Sequence, residues 1–136
     1  MAHGIGDVAA RTGLSVHALR FYEREGLFAG PIVRDPGGRR VYSDDDIEWV
    51  ELCARLRETG MPIDAIRKYA DLVREGPGNE PDRLALLQAH QERIEAQMEA
   101  LSVGLSMISY KVRVYEKRLA EGTASDLWTG RAASGD

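Results

Sequence analysis

The chain has 136 residues, 43% hydrophobic and 29% charged, with a formal net charge of −4. That length accommodates one small domain plus an extended element, and no apolar run approaches the ~18–20 residues that span a bilayer. The acidic balance argues against an indiscriminate nucleic-acid binder, and one cysteine excludes both an intrachain disulfide and a cysteine-rich zinc site.

Ile5, Val8 and Ala9 recur at helical spacing and Gly13 stops the helix they predict, with Leu14 as a core plug. Ser15 is placed to cap a second helix over 16–25 that turns Val16, Leu19 and either Phe21 or Tyr22 inward, and Gly26 closes it. Two short helices joined by a turn of three to four residues form a helix-turn-helix signature. From Leu27 to Tyr42 the pattern changes. Ile32-Val33-Arg34 and Arg39-Arg40-Val41-Tyr42 flank a Pro-Gly-Gly turn, which reads as a two-stranded hairpin.

Ser43 followed by Asp44, Asp45 and Asp46 marks a strong helix start. Ile47, Val50 and Ala54, with Trp49, Leu52, Cys53 and Leu56 on a neighbouring line, supply its buried side. Thr59-Gly60-Met61-Pro62 breaks it, and Pro62 suits the opening of a fourth helix over 63–74, whose apolar face is Ile63, Ile66, Tyr69, Ala70 and Val73. EGPGNEP (75–81) has a linker's composition.

Beyond it Leu84, Leu87, Gln91, Ile94, Met98, Leu101, Leu105, Ile108, Val112, Tyr115 and Leu119 alternate in steps of three and four. That heptad seam predicts a coiled-coil helix running ~50 Å. The domain before it is too small to cover the seam, so a second copy is the expected partner. Gln91 interrupts the apolar series and either fixes register or is merely tolerated. His90 reads as a surface residue. The domains expected are a DNA-reading unit over 1–75, a linker over 76–80, a dimerisation helix over 81–121 and a tail over 122–136, either mobile or docked by Trp128. The opening MAHG lacks the basic-then-apolar order of a leader, so a cytoplasmic location is expected.

Charge is segregated along the chain. Residues 11–40 hold six arginines against three acids, and residues 41–58 hold two arginines against six acids. The positive charge is thus local to the helix-turn-helix and hairpin. Val16, His17 and Arg20 occupy the early, outward part of the second helix, where this motif reaches base edges, and Arg can grip guanine in bidentate fashion. The alternative makes them a solvated helix face. Tyr22, Arg34, Arg40 and Tyr42 suit phosphate contacts, which fix position without reading sequence, although Tyr42 at a strand end serves equally as a core lid.

IGDVAARTGLSVHALRFYEREGL, followed by RRVYSDDDIEWVELCARLRETGMPIDAI, resembles the DNA-binding domain of the MerR family of bacterial transcription regulators. The resemblance covers residues 5–74, and the long helix agrees with that family's dimerisation helix. It implies a mainly α, winged helix-turn-helix fold with a small β-hairpin wing. It places His17 and Arg20 at bases, adds Arg39 to the wing, and puts Lys68 and Tyr69 in a second wing. Ser15 and Phe21 join the phosphate-facing set. The implied mechanism is a homodimer on a dyad operator in promoter DNA, bending and untwisting it so that RNA polymerase engages both promoter elements, with no membrane involved.

No cysteine pair follows Cys53, as a thiolate metal sensor of this kind requires, and the fourteen residues after Gly122 are too few for a separate ligand domain. No metal or cofactor is expected. The chain resembles instead a compact subgroup with a single cysteine in the third helix and electrophiles or oxidants as inducers, an assignment the tract DRLALLQAHQERIEAQ supports. Cys53 is therefore a candidate thiol sensor. Its apolar stripe fits equally a buried structural residue, and a reactive thiol needs an electropositive, partly exposed setting. Outside this class, an inducer-independent architectural or recombination-accessory DNA binder has the same features. An enzyme does not, since no nucleophile–base pair, metal cluster or phosphate-cradling glycine loop is present.

Overall fold

The caps and breakers act where their chemistry requires. In a computed structural model that describes residues 2–127, the elements run α1 (Ile5–Thr12), α2 (Val16–Arg24), β1 (Val33–Arg34), β2 (Arg40–Val41), α3 (Asp44–Glu58), α4 (Ile63–Arg74) and α5 (Glu80–Glu121), with a short 3-10 turn at Ala124–Asp126. Trp128 lies outside the described residues. Gly13, at φ 77°, ends α1 in the left-handed region that a Cβ disfavours. Ser15 caps α2 by accepting from the Ala18 amide at 3.0 Å. Ser43 and Asp46 form a reciprocal capping box at the start of α3, satisfying two amides that the helix leaves open.

The hairpin is shorter than the sequence suggests. Val33 pairs with Val41 and Arg34 with Arg40, antiparallel, around a turn in which the Gly38 amide donates to the Asp35 carbonyl at 2.9 Å. His3 extends this sheet by pairing its backbone with Tyr42, each amide donating to the other's carbonyl at 2.8 Å. Its buried ring bridges two carboxylates, Nδ1 to Asp7 at 2.8 Å and Nε2 to Asp44 at 2.7 Å. The chain start is thereby fastened to α1 and α3 together.

The chain divides into two compact units, Met1–Glu92 and Arg93–Asp136. In the first, Val8, Leu19, Tyr22, Leu27, Phe28, Tyr42, Ile47, Val50, Cys53, Leu56, Met61 and Ile66 form one core. Two burial expectations shift. Leu52 lies 36% exposed, because α3 turns Ile47, Val50, Cys53 and Leu56 inward and Leu52 falls on the flank of that line. His90 is buried rather than on the surface, its Nε2 2.7 Å from the Thr59 hydroxyl.

Leu87 packs against the same core. The opening turns of α5 are thus part of the first unit, and the division falls inside the helix rather than in the linker. In the second unit the seam beyond half-buried Ile94 is bare, with Met98, Leu101, Leu105, Ile108, Val112 and Leu119 at least half exposed and Tyr115 39% exposed. Among the described residues no helix is long and apolar enough to cross a membrane.

Candidate nucleic-acid interface

The buried side of α2 decides which residues face out. Leu19 and Tyr22 point into the core, half-buried Phe21 packs against it, and His17 and Arg20 are left in solvent with Val16 half-buried between. The wing then brings its own charge to the same place. Gly4, Ile5, Arg20, Gly38, Arg39 and Arg40 line one open cleft of ≈ 300 Å³. Arg20 of the reading helix and two arginines of the hairpin therefore converge, although the sequence separates them by some twenty positions. Arg20 and Arg39 make no ion pair among the described residues, so both keep their charge for an anion.

Arg34 and Arg40 differ in this respect. They stand directly opposite each other across the hairpin, an arrangement in which like charges repel. Glu23 on α2 lies against both. It receives a short hydrogen bond from Arg40 Nε and sits 3.7 Å from Arg34 Nη2. That bond raises the Arg40 pKa above the ordinary arginine value. Arg34 also donates from Nη1 to the Gly38 carbonyl at 3.0 Å. The wing is thus braced onto the reading helix by one carboxylate.

A second brace holds the loop after α2. Arg67 donates to the Glu25 carbonyl at 2.8 Å and to its carboxylate at 2.7 Å, while Arg74 donates to the carbonyls of Gly26 and Phe28. Trp49 adds its indole N–H to the Leu27 carbonyl at 2.7 Å. Lys68 is exposed, and half-buried Tyr69 stacks on Trp49. Ser15 is exposed, with its hydroxyl oxygen already engaged as the helix cap.

Two of the residues expected at phosphates are buried. Tyr42 is fully buried and packs beside Phe28, ring centroids 6.0 Å apart, so it is the core lid. Its hydroxyl has no hydrogen-bond partner among the described residues, and burial raises its pKa. Tyr22 is buried as well, its pKa raised mainly by the same desolvation. The Tyr42 hydroxyl is not presented to a backbone phosphate in this conformation.

Cys53 likewise lacks a reactive thiol's setting. It is 1% exposed, and burial pushes its pKa up to about 12. Its Sγ lies 3.9 Å from the Leu27 carbonyl. Arg57, four residues on, donates instead to the Met61 carbonyl at 3.2 Å. The thiol is held neutral and covered, the opposite of what nucleophilic chemistry requires.

Sequence reasoning did not find Glu23, Arg67, Arg74, His3 or the His90–Thr59 pair. All act across long sequence separations.

Residues 4–72 match the family described as MerR HTH family regulatory protein, and residues 47–105 match the one described as MerR, DNA binding. An uncharacterized HTH-type transcriptional regulator of Haemophilus influenzae is 31% identical over 90% of both chains. The HTH-type transcriptional regulator AdhR of Bacillus subtilis is 36% identical over 66% of this chain and 64% of its own. Among solved structures, HiNmlR, a MerR family regulator lacking the sensor domain and bound to promoter DNA, superposes with a TM-score of 0.81 at 31% identity, over 91% of this chain and 98% of that one. A MerR family regulator from Listeria monocytogenes superposes at 0.82 with 27% identity, over 95% and 98%.

Proposed function

The chain belongs to the MerR family of helix-turn-helix regulatory proteins, and on that premise we propose that it binds promoter DNA as a homodimer and controls transcription by deforming the site. The observation that carries this reading is the cleft uniting Arg20 with Arg39 and Arg40. A helix in the major groove and a cationic ribbon beside it grip base edges and backbone at once.

The bare seam of α5 supports the dimer. Each large apolar side chain moved out of water contributes about 1.5–3 kcal/mol, enough in sum to hold two helices together. Two reading heads tied by one coil impose a fixed spacing on a dyad, and a site that departs from that spacing has to bend or untwist to fit. Such deformation costs on the order of several kcal/mol, which the second head's contacts offset. In this reading RNA polymerase then meets both promoter elements in a productive alignment. Cys53 enters only through an opened state, since an electrophile has first to part α3 from Leu27 to reach its sulfur.

Fluorescence resonance energy transfer between the ends of a duplex carrying a site that the protein selects from random sequence tests the deformation. Added protein is expected to shorten the end-to-end distance, and an unchanged distance at saturating protein contradicts it. Footprinting separates this reading from an architectural role, because a regulator protects one dyad within a promoter whereas an architectural protein protects scattered weak sites.

A further inference from the structure

We infer that Glu23 serves as an internal stand-in for a DNA phosphate, occupying Arg34 and Arg40 in the free protein and limiting how much the wing adds to sequence-independent binding. The inference rests on the DNA-binding reading and deepens it.

Three observations combine. Arg34 and Arg40 are cross-strand partners in a hairpin only two residues long on each side, so their mutual repulsion acts on the whole wing. The carboxylate of Glu23 is the anion set against both, one oxygen toward each guanidinium. The third arginine of the hairpin, Arg39, has no such partner among the described residues and shares the open cleft with Arg20 and Arg40. One wing therefore carries two cations that share a single counter-charge and one left available.

A phosphate arriving at this wing meets the negative field of Glu23 as well as the arginines, and it gains Arg34 and Arg40 only by displacing the carboxylate. On DNA in the wrong register the exchange brings little, because the carboxylate already supplies what the phosphate offers. In the correct register Arg20 at the bases holds the phosphate where the exchange is made. Glu23 on this account lowers background binding more than operator binding. It is a positioning and specificity-determining residue that acts through Arg34 and Arg40.

The test compares wild-type chain with Glu23→Gln, which keeps the shape of the side chain and removes its charge. Each is titrated against a random-sequence duplex and against a duplex selected by the wild-type protein, over a range of salt. Glu23→Gln is expected to bind the random duplex about three- to tenfold tighter, with a plot of log K against log salt steeper by about one for each arginine released. Its preference for the selected duplex falls accordingly, and adding Arg40→Gln removes the gain. Unchanged affinity and slope overturn the inference. So does weaker binding to both duplexes with a lowered thermal midpoint, which identifies Glu23 as a strut and nothing more. A wild-type chain that binds neither duplex contradicts the DNA-binding reading itself, and this inference with it.

Discussion

Trp49 and Tyr69 lie face to face, ring centroids 5.5 Å apart and planes 5° from parallel. The contact joins α3 to α4, and the Trp49 indole N–H reaches the Leu27 carbonyl at 2.7 Å, so one side chain ties three segments of the reading unit together. Tyr69 is half-buried with its ring committed to this stack, while its neighbour Lys68 is exposed.

Fold and DNA contact are separable at this pair. Trp49→Phe keeps an aromatic face but loses the hydrogen bond and leaves the Leu27 carbonyl short of a partner, a cost of about 1 kcal/mol in denaturant unfolding. Tyr69→Phe keeps the stack, so stability is expected to hold while affinity for all DNA sequences falls by about 1 kcal/mol. Equal DNA affinity for Tyr69→Phe and wild type removes its hydroxyl from the interface.

Tyr42→Phe gives the opposite pattern. The buried hydroxyl has no partner, so its removal is expected to leave stability unchanged or raise it by about 1 kcal/mol. DNA affinity is expected to stay at the wild-type level. A clear loss of affinity in a well-folded Tyr42→Phe would falsify its placement as a core lid.

Arg20 and Arg39 share the cleft but are expected to carry different roles. Arg20→Ala is expected to cost about 1–3 kcal/mol on the selected site and little on random DNA. Arg39→Ala is expected to weaken both alike and to reduce the salt slope by about one. Competition titrations with the two duplexes read the difference. Intact discrimination in Arg20→Ala removes α2 from the bases.

For Cys53 the pKa sets the sign of a pH dependence. Burial raises it from 9.0 to about 12, so the folded protein keeps a proton that the unfolded chain releases. The thiol's contribution to stability is full below pH 9.0 and declines as the pH climbs toward 12. Tyr22 and Tyr42, both raised, add to the alkaline loss. The thermal midpoint is therefore expected to fall less steeply with alkaline pH in Cys53→Ala than in wild type. Thiol labelling near neutral pH is expected to be slow in the native protein and to quicken on unfolding. Immediate stoichiometric labelling of the native protein contradicts the closed pocket.

Local chemistry was legible in the sequence because it is written within a few residues. The Ser15 and Ser43 caps, the Gly13 and Gly60 breaks and the bounds of α4 all depend on neighbours in the chain. The heptad steps likewise marked the stripe that lies exposed from Met98 onward. Orientation was harder. Tyr42 and His90 sit where one turn of the chain either way decides between core and surface, and that turn is set by Phe28 and Thr59, distant in sequence. The long-range ion pairs were not legible at all. Glu23 reads as one acid among many on a solvated helix until the hairpin folds both arginines onto it.

Two copies of this reading head are proposed to act together on a dyad. Selection of bound duplexes from a random pool, followed by sequencing and a mass measurement of the complex, tests this. The expected result is an enriched inverted repeat bound by two chains, and loss of that enrichment when Leu105→Glu puts charge on the exposed seam. A single unrepeated half-site bound by one chain, or a pool that stays unenriched, contradicts it.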